Sequence, residues 1–223
     1  MDVLTLLVGM SLTAPCAAAL VARPGGLVYD DVLDVTWLAD ANYARTSGYS
    51  TGGQMSWQDA KAWAASLVYG GFDDWRLPAT PQPDPSCREQ YDAGPSYPPQ
   101  GYDLDCTGSE LGYMFYSNLG GQPDTAVSVS HNASFTLFSN VEDVFYWSGS
   151  AYAPRPGALA WRFNFANGKQ SSVPQAYTFA AWAVHDGDID GTSVPAPATG
   201  LLLGIGLIGL LWRNRTAIVA IGR

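Results

Sequence analysis

An uncharged run near the C-terminus limits this chain more than any other feature. Gly200-Leu201-Leu202-Leu203-Gly204-Ile205-Gly206-Leu207-Ile208-Gly209-Leu210-Leu211-Trp212 follows Val194-Pro195-Ala196-Pro197 and runs straight into Arg213-Asn214-Arg215. In hydrocarbon every backbone polar group needs an internal partner, and a helix supplies one. The run falls short of the about 20 residues of a full span, so flanking residues and Trp212 serve as the interface. A transmembrane helix over about 198–212 is predicted on this ground. Arg213 and Arg215 hold its inner end by the positive-inside rule, leaving 216–223 as a short cytoplasmic tail. Everything before Val194 then lies outside the cytoplasm.

The other end agrees. Leu4, Leu6, Leu7, Val8, Met10 and Leu12 precede the small-residue site Ala17-Ala18-Ala19, the pattern of a signal peptide over 1–19. Asp2 stands where a basic residue is expected, and Pro15 before Cys16 argues against a lipoprotein. Proline motif, apolar helix and arginines together resemble the PEP-CTERM sorting signal of exopolysaccharide-producing Gram-negative bacteria, here 194–215, with Ala196 where glutamate is usual. That resemblance implies an exosortase-type processing enzyme as partner and a surface or extracellular-matrix destination. An ordinary C-terminal anchor is the alternative, and either one makes this an exported protein.

Between the two signals lies one domain, 20–193, long enough for a substantial core. Of the 20 acidic and 11 basic residues of the chain, residues 20–197 keep 19 and 8, a net of −11. Such a surface repels nucleic acid and anionic lipid heads, which removes both from the expected partners. Cys87 and Cys106 pair by cysteine arithmetic once Cys16 leaves with the leader. They enclose Gly94, Pro95, Pro98, Pro99 and Gly101, a composition that predicts no regular element. A metal or a catalytic thiol lacks a nearby histidine or a C-x-x-C spacing, so a disulfide is expected.

Leu27–Asp30 and Val35–Leu38 read as short strands joined through Asp31 and Asp34. After the glycine-rich stretch 46–54, Ser56 opens a helix with Asp59 as capping partner. Trp57, Ala60, Ala64 and Leu67 form its apolar face, and Gly70-Gly71 ends it. Trp75-Arg76-Leu77-Pro78 is an extended exit. A second helix starts at Thr107, with Glu110 as capping partner and Leu111, Met114, Phe115 and Leu119 as its stripe, and stops at Gly120-Gly121. Strands follow at 145–148, at 159–165 with an Asn167-Gly168 hairpin turn, and at 177–184. Two helices before a late antiparallel sheet make an α+β domain.

These segments resemble the Lcl C-terminal-domain-like family, a bacterial exported module of largely unknown function. The resemblance spans about 25–188. It is carried by Leu27-Val28-Tyr29-Asp30, Val35-Thr36-Trp37-Leu38, Met55-Ser56-Trp57-Gln58-Asp59-Ala60, Asp74-Trp75-Arg76-Leu77-Pro78, Tyr146-Trp147-Ser148-Gly149 and Ala181-Trp182-Ala183-Val184-His185-Asp186. It implies a C-type-lectin-like or formylglycine-generating-enzyme-like fold, often with a PEP-CTERM tail. Its best-studied member class is an adhesin for sulfated glycans. A polyanion needs a basic face, so net −11 turns the expectation toward a neutral polysaccharide or a surface protein.

Chemistry-bearing motifs are sparse. His131 and His185 are the two histidines, and no Gly-x-Ser-x-Gly elbow is present. Asp186-Gly187-Asp188-Ile189-Asp190-Gly191 matches the start of a calcium loop, though the twelfth position is Pro197 rather than an acid. Asp186, Asp188 and Asp190 are thus calcium candidates, against the alternative of a solvated acidic linker; no other cofactor is implied. Trp37, Trp57, Trp63, Trp75, Trp147, Trp161 and Trp182 offer sugar-stacking faces, but apolar periodicity assigns most of them to the core. Arg76 reads as a structural cation. The expected function is a non-catalytic, exported binding module. The alternatives are a secreted carbohydrate-active enzyme with an Asp/Glu pair, and a purely structural matrix protein.

Overall fold

Tryptophan indoles seal the seam between two sheets, and the strands are arranged around that seam. The computed structural model describes residues 20–190. The predicted signal peptide, the transmembrane helix and all sorting residues (Val194, Pro195, Ala196, Pro197, Arg213 and Arg215) lie outside the described residues. Among those described, no helix is long and apolar enough to cross a membrane.

The chain opens with β1 (Leu20–Arg23), β2 (Leu27–Asp30) and β3 (Val35–Leu38), an antiparallel meander. Asp30 is fully buried and sets the second turn. One carboxylate oxygen accepts the Val32 and Leu33 amides at 3.0 and 3.1 Å, and the other accepts Asn118 Nδ2 at 2.6 Å. The short helix α1 (Tyr43–Thr46) and β4 (Gln54–Met55) bracket the glycine-rich stretch.

Helix α2 (Trp57–Ser66) is capped as the sequence predicts: Ser56 Oγ accepts the Asp59 amide at 3.3 Å and donates to its carboxylate at 2.6 Å. Its buried face is Trp57, Ala60, Trp63 and Ala64. Leu67, expected on that face, is instead the extended residue that ends the helix.

Next come β5 (Glu89–Tyr91) and β6 (Gln100–Tyr102), an antiparallel ribbon inside the cysteine loop. This corrects the expectation of an irregular loop. Pro95, Pro98 and Pro99 all fall in the connection, so neither strand loses an amide donor.

Helix α3 (Glu110–Tyr113) starts from Ser109, whose Oγ accepts the Gly112 amide at 3.1 Å, not from Thr107. Glu110 is drawn to Arg76 instead of to the cap. A π-helical turn over Met114–Asn118 continues α3, with Leu119 N–H bonded to Met114 C=O. Leu111, Met114, Phe115 and Leu119 are all buried, the apolar stripe that the sequence predicts.

The main sheet holds β7 (Phe145–Ala151), β8 (Leu159–Asn164) and β9 (Lys169–Pro174). Its order is β4, then β10 (Phe179–Ala180), β7, β8 and β9, antiparallel except for β10 beside β7. The β8–β9 connection takes four residues, because Phe165 leaves the strand to bond Val144 C=O; Asn167-Gly168 is only its second half. The predicted strand over 177–184 divides. Its first part is β10, and β11 (Val184–Asp186) joins β3 in the meander. Ala181-Trp182-Ala183 crosses from one sheet to the other, fully buried, with Trp182 Nε1 donating to Leu38 C=O at 2.7 Å. A sheet-rich α+β domain results. The extended Trp75–Pro78 segment docks on it through paired Arg76 and Val184 backbone bonds of 2.8 Å.

Candidate functional site

Beside the main sheet lies an open cleft of about 670 Å³. One wall is the β5–β6 ribbon, with Glu89, Gln90, Tyr91 and Tyr102. The other is the β7–β8 turn and sheet edge, with Tyr152, Pro154, Arg155 and Ser172.

The ribbon is held from beneath. Cys87 and Cys106 are disulfide-bonded, 19 residues apart, as expected. Asp84 is buried beside the bridge, and its carboxylate accepts from the Ser86 amide at 3.1 Å, Ser86 Oγ and the Gly108 amide at 3.2 Å. Asp84, Cys87 and Cys106 form a tight trio of metal-ligand types, but both sulfurs are committed to the bridge and the carboxylate to these donors. Gly101 crosses the bridge so closely that a Cβ there would meet Asp84 C=O and Cys87 Sγ at 2.6 Å. Gln170 on β9 ties the ribbon down through Nε2 to Gly101 C=O at 3.0 Å.

Three tyrosines line the cleft. Tyr91 is 56% exposed and meets Tyr102 edge-on at 6.3 Å. Tyr102 packs on Tyr152 at 6.2 Å and on buried Trp161 at 4.7 Å, and its hydroxyl shares a 2.7 Å bond with Ser172. A β-bulge between Trp147 and Ala151 turns the β7 strand toward this wall. The bulge is fixed by Ser148, whose carbonyl accepts Trp57 Nε1 at 2.7 Å and whose hydroxyl accepts from Thr80 at 2.9 Å.

Burial pushes the Tyr102 and Tyr146 phenols well above the ordinary tyrosine range and the Tyr116 phenol up to about 12. These groups resist ionisation in the fold, whereas the unfolded chain ionises them near pH 10. The stabilisation is complete below about pH 10 and is lost as pH climbs through the folded value, about 12 for Tyr116. Urea unfolding midpoints are therefore expected to hold steady up to about pH 9.5 and fall beyond about pH 10. A midpoint flat to about pH 12 would mean the phenols ionise freely in the fold.

The calcium candidates are not brought together. Asp186 accepts from Arg76 Nε at 2.9 Å and Nη2 at 2.6 Å, and Asp188 accepts from Arg23 at 2.7 and 2.5 Å. The Arg23 bond holds the Asp188 carboxyl below its usual range. Asp190 borders a separate groove with Arg23 and Asp188. Arg76 is the structural cation expected of it: it also clamps Glu110 through two 2.8 Å bonds, while Glu110 accepts the Ala79 amide at 2.7 Å.

His185 on β11 lies edge-on to Phe72 and Trp75, and His131 stacks on Phe135 at 4.2 Å. All seven candidate sugar-stacking tryptophans are buried, so the exposed aromatic surface of the cleft belongs to tyrosine. Tyr91 and Tyr102 flank the proline-rich connection inside the cysteine loop, and that placement was the available signal in the sequence.

Comparison with known families finds the PEP-CTERM protein-sorting motif over residues 193–215. The chain carries an exosortase sorting signal. It is thereby an exported, membrane-anchored protein of the Gram-negative type, processed by an exosortase. The matched span contains the proline motif, the apolar run and both arginines singled out in the sequence. No curated protein and no solved structure matches the chain, and the Lcl-type resemblance has no counterpart among these comparisons.

Proposed function

We propose that the exported domain is a non-catalytic binding module of the cell surface or its extracellular polymer, and that the tyrosine cleft takes a saccharide. The observation that carries this reading is the exposed Tyr91 face beside a packed Tyr102–Tyr152–Trp161 cluster, in an open groove rimmed by hydrogen-bonding groups. Aromatic faces with a few fixed polar groups are the usual equipment of a site that orients a small ligand. A groove open along its length suits a chain ligand, and an exopolysaccharide is what a sorted surface protein meets.

Among the described residues Glu89 is the one carboxylate lining the cleft, whereas glycoside hydrolysis by the two-carboxylate route needs a pair about 5–9 Å apart. This favours binding over cleavage. The test is titration of the full-length chain, in detergent micelles, against a panel of oligosaccharides. Tyr91→Ala is expected to weaken binding at least about tenfold, the loss of one stacking partner, without moving the melting temperature. Equal affinity of the variant for every oligosaccharide bound, or no binding to any, removes the proposal.

A further inference from the structure

The domain carries far more acid than base, so its cations should all find partners. Seven of its eight do. Arg23, Arg45, Arg76, Arg88 and Lys169 pair with carboxylates. Lys61 lies over the Trp57 ring at 4.5 Å, and Arg162 lies over Phe145 at 3.6 Å and Phe179 at 4.7 Å. Arg155 is the exception: among the described residues its guanidinium meets neither a carboxylate nor a ring. An unpaired acid is unremarked in a domain with 19 acids to 8 bases, but an unpaired arginine is not.

Its placement is as telling as its lack of a partner. Arg155 lines the tyrosine cleft and sits between Pro154 and Pro156 in the β7–β8 turn. Its backbone is fully used there: its amide donates to Tyr152 C=O at 2.9 Å, and its carbonyl accepts from Ala158 and Leu159 at 3.0 Å. Two fixed proline φ angles and these three bonds hold the Cα in place before any ligand arrives. A guanidinium presented in this way is a planar fork matched to a carboxylate.

We propose that the cleft selects saccharides bearing a carboxylate, such as uronic acid units, and that Arg155 is the residue that selects them. This rests on the saccharide reading above and narrows it. The net charge of −11 disfavours a densely charged polyanion, but it acts as a long-range field screened beyond about 10 Å, whereas a single carboxylate seated on Arg155 is a contact interaction. Glu89 on the facing wall is left to accept from sugar hydroxyls, which keeps the lining electrically balanced.

The test uses neutral oligosaccharides carrying a single glucuronic, galacturonic or mannuronic unit, each beside its carboxyl-reduced, neutral counterpart, titrated into the full-length chain. Acidic members are expected to bind about tenfold more tightly than their reduced counterparts, the worth of a charge-assisted hydrogen-bond pair. Arg155→Gln should abolish that preference and leave the melting temperature unchanged, because among the described residues the guanidinium pairs with no carboxylate and no ring. Tyr91→Ala should weaken both classes alike. If acidic and reduced members bind wild type equally, the selectivity claim falls while the saccharide reading stands. Should none of the six bind, or should a glutamate-rich peptide displace them, both fall.

Discussion

Trp182→Ala is expected to cost about 3–5 kcal/mol of folding stability, the range for emptying a large aromatic site in a packed interior. The indole stands where the chain passes from β10 to β11, and it is fully buried. It meets Trp37 of the meander at 5.0 Å, Tyr146 of the main sheet at 5.9 Å, and Phe138 and Phe165 at 5.2 and 6.1 Å. Removing it therefore opens a void facing both sheets, and no single sheet can relax to fill it. Domains of this size hold only about 5–15 kcal/mol in total, so the variant would sit near the edge of folding.

Trp182→Phe separates the two contributions. It keeps most of the ring contacts and loses the donor to Leu38 C=O, a change of about 1 kcal/mol for the bond plus the smaller ring's missing volume. Urea unfolding measures both, with Val129→Ala as the reference because Val129 is 77% exposed and belongs to no packed cluster. A Trp182→Ala midpoint close to that of Val129→Ala would mean that the two sheets do not share this core.

What could be read from the sequence divides along physical lines. Ser56 with Asp59, and the stripe Leu111, Met114, Phe115 and Leu119, were legible because caps and helical periodicity are local. The π-helical turn inside that stripe was not, since all four apolar residues are buried across it. The sequence over 177–184 reads as one strand by alternation, yet Trp182 diverts it to a second sheet, and only the tertiary partner Leu38 decides that. Asp186 and Asp188 look like calcium ligands by spacing, but Arg76 and Arg23, distant in the chain, take them. The cleft was the least legible. Tyr91 and Tyr102 lie on three-residue strands, too short to show apolar alternation, Tyr152 lies in the connection after β7, and Arg155 becomes informative only once the partners of every other cation are known.

Replacing Cys87 and Cys106 together by alanine is expected to cost about 3 kcal/mol, the chain-entropy worth of a loop closed over 19 residues. The greater consequence is local. All three residues of β5 are exposed, so burial gives that strand little reason to stay in place. Without the bridge it is held by its ladder with β6 and by Gln90 Nε2, which donates to Asp84 C=O at 2.8 Å and Cys87 C=O at 3.2 Å. β6 in turn rests on Gln170 Nε2 to Gly101 C=O and on the backbone exchange between Asp103 and Gln170 at 3.0 and 2.8 Å. Hydrogen exchange of the 89–91 and 100–102 amides should therefore quicken at least about tenfold, while β7 and β8 amides, deep in the main sheet, slow or quicken only with global stability. On the saccharide reading proposed above, affinity should fall in step with the ribbon, because Glu89, Tyr91 and Tyr102 belong to one wall of the cleft. Disulfides are rare in a reducing cytosol, so the bridge that completes this wall agrees with the export that the C-terminal sorting motif implies. Ribbon amides as protected in the double variant as in wild type would show that packing alone builds the cleft, and would break the link between export and binding.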